Sequence, residues 1–340
     1  MAQPDPRPDP VVPFDAATFQ TRPLEGREHL VETERFASPV GARADVSAFL
    51  ASLPDYLGVR NLRGLAAAIA SRRAAGRPVL WGLGGHVIKV GLGPLLIDLH
   101  RRGYVQGFVL NGASAIHDSE VALVGSTSED VGGGLFDGTY GSAHETGALF
   151  AEAAACAVEQ ELGFGTALAR LVASRNPRNP QLSILCVAAE HDIPVTVHVA
   201  IGTDTVHMHP ACRGADVGAA THRDFLRLAT LVAGLDNGVY VNVGSAVVLP
   251  EVFMKAVAMA CNAAAQGDAA AQESAETGEM ERPLHITTGN LDMLRHYRPR
   301  VNVLERPAIR GFDIAGHHEI TLPLLRLAVL AVEQAQGESP

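Results

Sequence analysis

Lysine is nearly absent: in 340 residues it occurs only as Lys89 and Lys255, so any chemistry that requires an amine side chain has two candidates. Cysteine is sparse too. Cys156, Cys186, Cys212 and Cys261 lie far apart and form no Cys-x-x-Cys pair, which argues against a redox dithiol or a zinc ribbon and fits reduced core thiols. No run approaches the eighteen or so consecutive apolar residues of a membrane helix, and the start of the chain is polar and proline-rich. A cytoplasmic protein with no membrane partner is expected. The formal net charge is -10 with no basic cluster, which excludes a phosphate-neutralising surface and so argues against nucleic acid.

What is present is 47% hydrophobic residues and 34 glycines, enough for one large core. Residues 1 to about 42 are rich in proline and show no amphipathic period, so they read as an extended arm over the surface or over a partner subunit. Residues 43–340 read as a single α/β domain interrupted by a mobile loop at 266–282, where small and acidic residues carry no apolar stripe. Within it short apolar strands alternate with helical segments: helix 59–75, strand 79–82, helix 87–102, strand 107–111 and a helix from 115. Helices at 145–160, 165–173 and 181–191 lead to strand 195–200, then helix 221–233, strand 239–243, helix 250–264, strand 285–288 and helix 322–334. This predicts a Rossmann-like parallel sheet with helices on both faces, and ligands beyond the carboxyl ends of its strands.

Those ends are small and polar. They read Gly82-Leu83-Gly84-Gly85-His86, Asn111-Gly112-Ala113-Ser114, Gly202-Thr203-Asp204, Gly244-Ser245-Ala246 and Thr287-Thr288-Gly289-Asn290. Tight strand-to-helix turns need such residues sterically, but five along one sheet favour a large anionic ligand such as a dinucleotide. An intact G-x-G-x-x-G is missing. In the segment Asn111–Glu120, His117, Asp118 and Glu120 enter an otherwise apolar helix; a histidine beside carboxylates suits acid–base work, while acidic residues also suit a helix first turn. The His207-Met208-His209 segment follows a buried strand, and on an extended backbone both rings would share a face, giving either a substrate pocket or a metal site. Glu251 and Lys255 are spaced as an i,i+4 pair after Pro250; they read as a surface pair or, lysine being so scarce, as groups turned to the cleft.

Taken in order from Arg77 to Gln334, these stretches resemble the deoxyhypusine synthase family. Gly244-Ser-Ala-Val-Val248 stands where that family has a triple glycine and two valines, and Gly202-Thr203-Asp204 where it has Leu-Thr-Asp. Ile286-Thr-Thr288 with Asp292, and the closing Leu322-Pro-Leu-Leu325, complete the series. The resemblance implies an NAD cofactor, a homotetramer with sites between subunits, and oxidation of an amine followed by aminobutyl transfer, in polyamine or related amine metabolism. By position it implies Asn111, Asp204, Gly244, Ser245 and Thr288 around the cofactor with His86 near it, and Gly85, Gly112, Ser114, Thr203 and Asp292 complete the expected cofactor-binding set.

The family's catalytic lysine, in a Trp-Gly-Lys segment, has no counterpart, since no lysine follows Lys255 and Trp81 is the only tryptophan. Deoxyhypusine formation through a lysine imine is therefore not expected. The run Asn111-Gly-Ala-x-Ala-Ile-His117-Asp118-x-Glu120 is also similar to a short motif in the NAD domain of an ornithine cyclodeaminase type. The expectation is an NAD-dependent enzyme acting on a small amine or amino acid, with His117, Asp118, Glu120, Glu251 and Lys255 as catalytic candidates. Two alternatives stand beside it: a metal-assisted hydrolase or lyase using His207 and His209, and a non-catalytic nucleotide-binding homologue.

Overall fold

In the computed structural model, Val11 and residues 13–267 and 283–337 are described. Most of the polar stretch expected as a mobile loop, residues 268–282, lies outside the described residues. Six runs rich in β-branched and aromatic residues form the strands β1 (Val79–Leu83), β2 (Gly107–Asn111), β3 (Val195–His198), β4 (Val239–Val243), β5 (Ile286–Asp292) and β6 (Ala308–Ala315). All pair in parallel in the order β3-β2-β1-β4-β5-β6. This is an α/β Rossmann-like sheet with the strand order of doubly wound dinucleotide-binding folds.

Both faces of the sheet are covered, so its strands are continuously apolar instead of alternating. Every residue of β1 and β4 is buried. The helices are α1 (Val46–Ser52), α2 (Leu57–Ala74), α3 (Gly85–Lys89), α4 (Gly93–Arg101), α5 (Gly112–Val124), α6 (Val131–Asp137), α7 (His144–Glu159), α8 (Phe164–Ser174), α9 (Ile184–Glu190), α10 (Gly214–Ala233), α11 (Val248–Gly267) and α12 (His318–Gly337). On one face Val79, Trp81 and Leu83 pack with Leu65 and Ile69 of α2 and Leu322 and Leu325 of α12; the same cluster continues through α4, α5 and α7 to α9. On the other, Leu80, Val109 and Tyr240 pack with α10 and α11, where the rings of Tyr240 and Phe253 stack at 3.8 Å. By length and composition alone Val248–Gln266 within α11 could cross a membrane, at a mean hydropathy of 1.3, yet its Leu249, Phe253 and Ala256 are fully buried in this second core.

Several elements differ from expectation. The helix expected over 87–102 is two, α3 and α4, because the chain turns at Gly91, whose φ of +78° is open to glycine. The helix expected from 221 begins at Gly214, the strand expected to end at 288 runs on to Asp292, and β6 was not expected at all. Residues 13–42 carry three short 3₁₀ turns and are exposed throughout.

Candidate functional site

The strand order reverses between β1 and β4, and their carboxyl ends are held together by glycine. A β-carbon on Gly84 would overlap the carbonyl of Gly244, and one on Gly244 would lie 3.1 Å from the His318 ring and 3.2 Å from Val87. Gly244 also has φ of +68°, the left-handed region. Around this point stand His86 and His318, with ring centroids 5.5 Å apart, and Asp292 at the end of β5. His318 and Asp292 are buried, yet among the described residues Nδ1 of His318 and Oδ2 of Asp292 have no hydrogen-bond partner, His296 Nε2 lying 3.9 Å from the latter. Burial lowers the proton affinity of His318, with Asp292 opposing. Unpartnered buried polar atoms carry a desolvation cost that a ligand can relieve. Ser245, also buried, accepts the amide of Leu249 and so starts α11.

Beyond the ends of β2 and β3 the fold opens a cavity of about 380 Å³. Its wall is α5, whose N-terminus packs on α3: a β-carbon at Gly85 would touch Ala113 and the His117 ring. Its roof is the segment after α5, from Ser126 to Ala143, and its far side is Thr203, Asp204 and Thr205. His117 and Glu120, one helical turn apart, share this wall because α5 buries the intervening Asp118 and Ser119.

A relay runs through the cavity. Oγ1 of Thr127 donates to Glu120 Oε2 at 2.5 Å and is 2.7 Å from His117 Nδ1. A hydroxyl whose proton points at a carboxylate accepts from the imidazole, so Nδ1 carries the ring proton and Nε2 is left with its lone pair. Thr146 donates to the other Glu120 oxygen at 3.0 Å. Burial lowers the proton affinity of His117; Glu120 opposes this and the nearby Lys89 ammonium adds to it, so the balance favours the neutral ring. Burial raises the pKa of Asp204, with His207 opposing.

Of the residues singled out in the sequence, the structure brings His117, Glu120, Thr203 and Asp204 into this cavity, with Gly85 and Gly112 against its wall. His86, Gly244, Ser245 and Asp292 gather at the β1–β4 reversal. Others do different work. Asp118 is fully buried and accepts from Ser183 Oγ and the amides of Ile184 and Leu185, holding the start of α9 rather than facing the cavity; burial pushes its carboxyl up against these bonds. Asn111 caps α5 through the Ser114 amide, and Ser114 donates to the Leu83 carbonyl. Thr288 sits in mid-strand opposite Tyr240 and donates to Val303, away from any strand end.

Glu251 and Lys255 form a surface ion pair that also engages Arg298, not a pair in the cavity; the Lys255 hydrogen bond holds the Glu251 carboxyl below its usual range. The backbone at His207 is a 3₁₀ turn, Thr205–Met208, and not extended, so the two histidine rings do not share a face. Nδ1 of His207 accepts the amides of Gly202 and Asp204, whereas His209 packs on His144 of α7. Among the described residues no three His, Cys, Asp or Glu side chains are placed to hold a metal ion.

Sequence reasoning missed Thr127 and did not place Lys89 or His318 at the site, although Lys89 was one of the two amine candidates. A run of three hydroxyl residues after an acidic helix, Ser126-Thr127-Ser128, and the scarcity of lysine were the available signals.

No family model and no curated protein matches the sequence. Solved structures with a similar fold exist at low identity. AgrE, solved with ornithine and NAD+, is 15% identical over 82% of this chain with a TM-score of 0.47, and the chain spans only 34% of AgrE's length. A conserved protein from Methanococcus maripaludis S2, provisionally assigned as LOR/SDH, is 16% identical over 87% of this chain and 72% of its own, with a TM-score of 0.46. A protein from Entamoeba histolytica, provisionally assigned as a deoxyhypusine synthase, is 11% identical over 85% of this chain and 94% of its own, with a TM-score of 0.46.

Proposed function

We propose that this protein is an NAD-dependent enzyme that dehydrogenates a small substrate at a carbon bearing an amine. The observation that carries the reading is the imidazole of His117, linked through Thr127 to Glu120, on the wall of an acidic cavity beside the strand reversal. The residues at the reversal fit a dinucleotide in their place at the switch point of the sheet and in the buried His318 Nδ1 and Asp292 Oδ2, which make no hydrogen bond among the described residues. His86, Gly244, Ser245 and Asp292 would hold it. Bound there, nicotinamide would supply the acceptor for a hydride.

The chain's own residues do the rest. At about 380 Å³ the cavity lies at the low end of ligand pockets, about 300–1,000 Å³, and suits a small molecule. Glu120 and Asp204 attract the substrate as its ammonium ion. His117 Nε2 takes one ammonium proton, which frees the nitrogen lone pair; loss of the neighbouring C–H hydrogen with its electron pair then leaves the substrate as an iminium ion. Thr127 and Glu120 stabilise the imidazolium that forms. This reading keeps the amine oxidation that the deoxyhypusine synthase resemblance implies and omits that family's lysine imine, because no lysine follows Lys255 in the chain and Lys255 itself is on the surface.

Calorimetric titration of NAD into the purified protein, followed by addition of amines while the absorbance of reduced nicotinamide is recorded, tests the reading. NAD binding is expected, with loss in Ser245→Trp. A wild-type protein that does not bind NAD would end it.

A further inference from the structure

Lys89 is one of two lysines in the chain and the lone lysine or arginine among the residues lining the cavity, whose other charged groups are Glu120, Glu129 and Asp204 besides the titratable His117. It sits at the end of α3, just after the β1 turn, and lines the cavity. Among the described residues its ammonium makes no hydrogen bond or ion pair. The acidic groups beside it are partly committed: Glu120 to Thr127 and Thr146, Glu129 to the Gly141 amide, and Asp204 to the His207 turn. Ser126 and Ser128 lie in the roof of the same cavity, and among the described residues their hydroxyls make no hydrogen bond. Ser128 is held at φ +69°, a left-handed conformation that non-glycine residues rarely adopt.

A pocket that needed only to bind an amine would gain nothing from this cation, which repels the substrate and, at the same time, lowers the proton affinity of the base. A substrate that carries a carboxylate reverses the sign of that interaction. We infer that Lys89, with the Ser126 and Ser128 hydroxyls, binds the carboxylate of an α-amino acid whose amino group lies toward His117 and Glu120, so that the cavity selects amino acids over simple amines. The inference rests on the amine-oxidising reading for its reaction but not for its binding site. Its charge pattern suits a zwitterion: a cation and hydroxyls line the same cavity as carboxylates and an imidazole.

The test uses two matched pairs, L-lysine with cadaverine and L-leucine with isoamylamine, titrated calorimetrically into the full chain with and without NAD. The amino acid of at least one pair is expected to bind ten-fold or more tightly than its decarboxylated partner. In Lys89→Met, a change at an exposed position, that preference should fall below two-fold while the fold, followed by circular dichroism, is retained; Lys89→Arg should keep part of it. Equal or tighter binding of the amines, a preference untouched in Lys89→Met, or no binding by any of the four compounds overturns the inference. The two readings fail separately. A Lys89-dependent preference without NAD binding removes the dehydrogenase and leaves the amino-acid site, whereas NAD binding with amines preferred does the reverse.

Discussion

His117 combines a role and a pKa direction that can be read together. Its folded-state proton affinity is lowered by burial and by Lys89, so the neutral base persists below pH 6.5 and the acid limb of the rate lies below that value. Removing the ammonium in Lys89→Met takes away one lowering influence, so the limb should move to higher pH, read from kcat/KM against pH. His117→Gln should lower kcat by about 10²–10⁴-fold, the usual worth of a positioned general base. Thr127→Val cuts the link to Glu120 but leaves the imidazole, so it should lose less than His117→Gln; an equal loss would mean that the threonine itself touches the substrate. At this scale the sequence was half legible. His117 and Glu120 stood out, together with Asp118, as polar residues entering an otherwise apolar helix after a strand end. Thr127 reaches them only because the chain doubles back after Gly125, whose φ of +80° ends α5, and a doubling-back is not encoded in any local period.

Elements show why the same kind of residue can be read wrongly. Asp118 lies next to His117 in sequence but a helix turns successive residues through about 100°, which carries it from the cavity wall into the core, where three donors at the start of α9 meet it. Asp118→Ala leaves those donors unpaired and should cost about 1–3 kcal/mol of stability per stranded group. Melting temperature should therefore fall while NAD and substrate affinities of the folded protein stay within two-fold; loss of affinity without loss of stability would restore Asp118 to the site. The sheet was legible where strands are fully buried, as in β1 and β4, since a continuous apolar run between glycine turns has few other readings. It was not legible in β6, an edge strand whose Ile309, Arg310 and Gly311 are exposed, nor at the end of β5, where Asn290 and Asp292 interrupt the apolar run. Asn290 is tolerated there because Asn242 of β4 donates to it at 2.8 Å, a partner that only the register of two distant strands supplies.

Across the whole molecule, the carboxylate of Asp224 ties three elements together. From α10 it accepts the amide of Gly165 at the start of α8 and that of Val197 in β3, each at 2.7 Å, and β3 leads directly into the loop that carries Thr203 and Asp204 to the cavity. Burial raises its pKa from 3.8 to about 7, against the two amide bonds and the charge of Arg227, and its Oδ1 has no hydrogen-bond partner among the described residues. A carboxyl with a raised folded-state pKa binds its proton more tightly when folded. The stability this contributes is complete below the unfolded value near 3.8, declines as pH rises, and is gone above about 7. Every tenfold gain in proton affinity on folding is worth about 1.4 kcal/mol. Buried His198, lowered to about 3, titrates in the opposite sense, its stability being lost as pH falls below the ordinary histidine value near 6.5. The two trends overlap between about pH 4 and 6.5, so the raw pH profile of melting is a sum of both, and the comparison that isolates Asp224 is with Asp224→Asn. The difference in stability between wild type and Asp224→Asn should move in favour of the variant from pH 5 to pH 8 and level off beyond it, measured by chemical denaturation at fixed ionic strength. A constant difference over that range would mean that Asp224 is ionised throughout, and that the two amides, with Arg227, hold the charge in the core despite its burial.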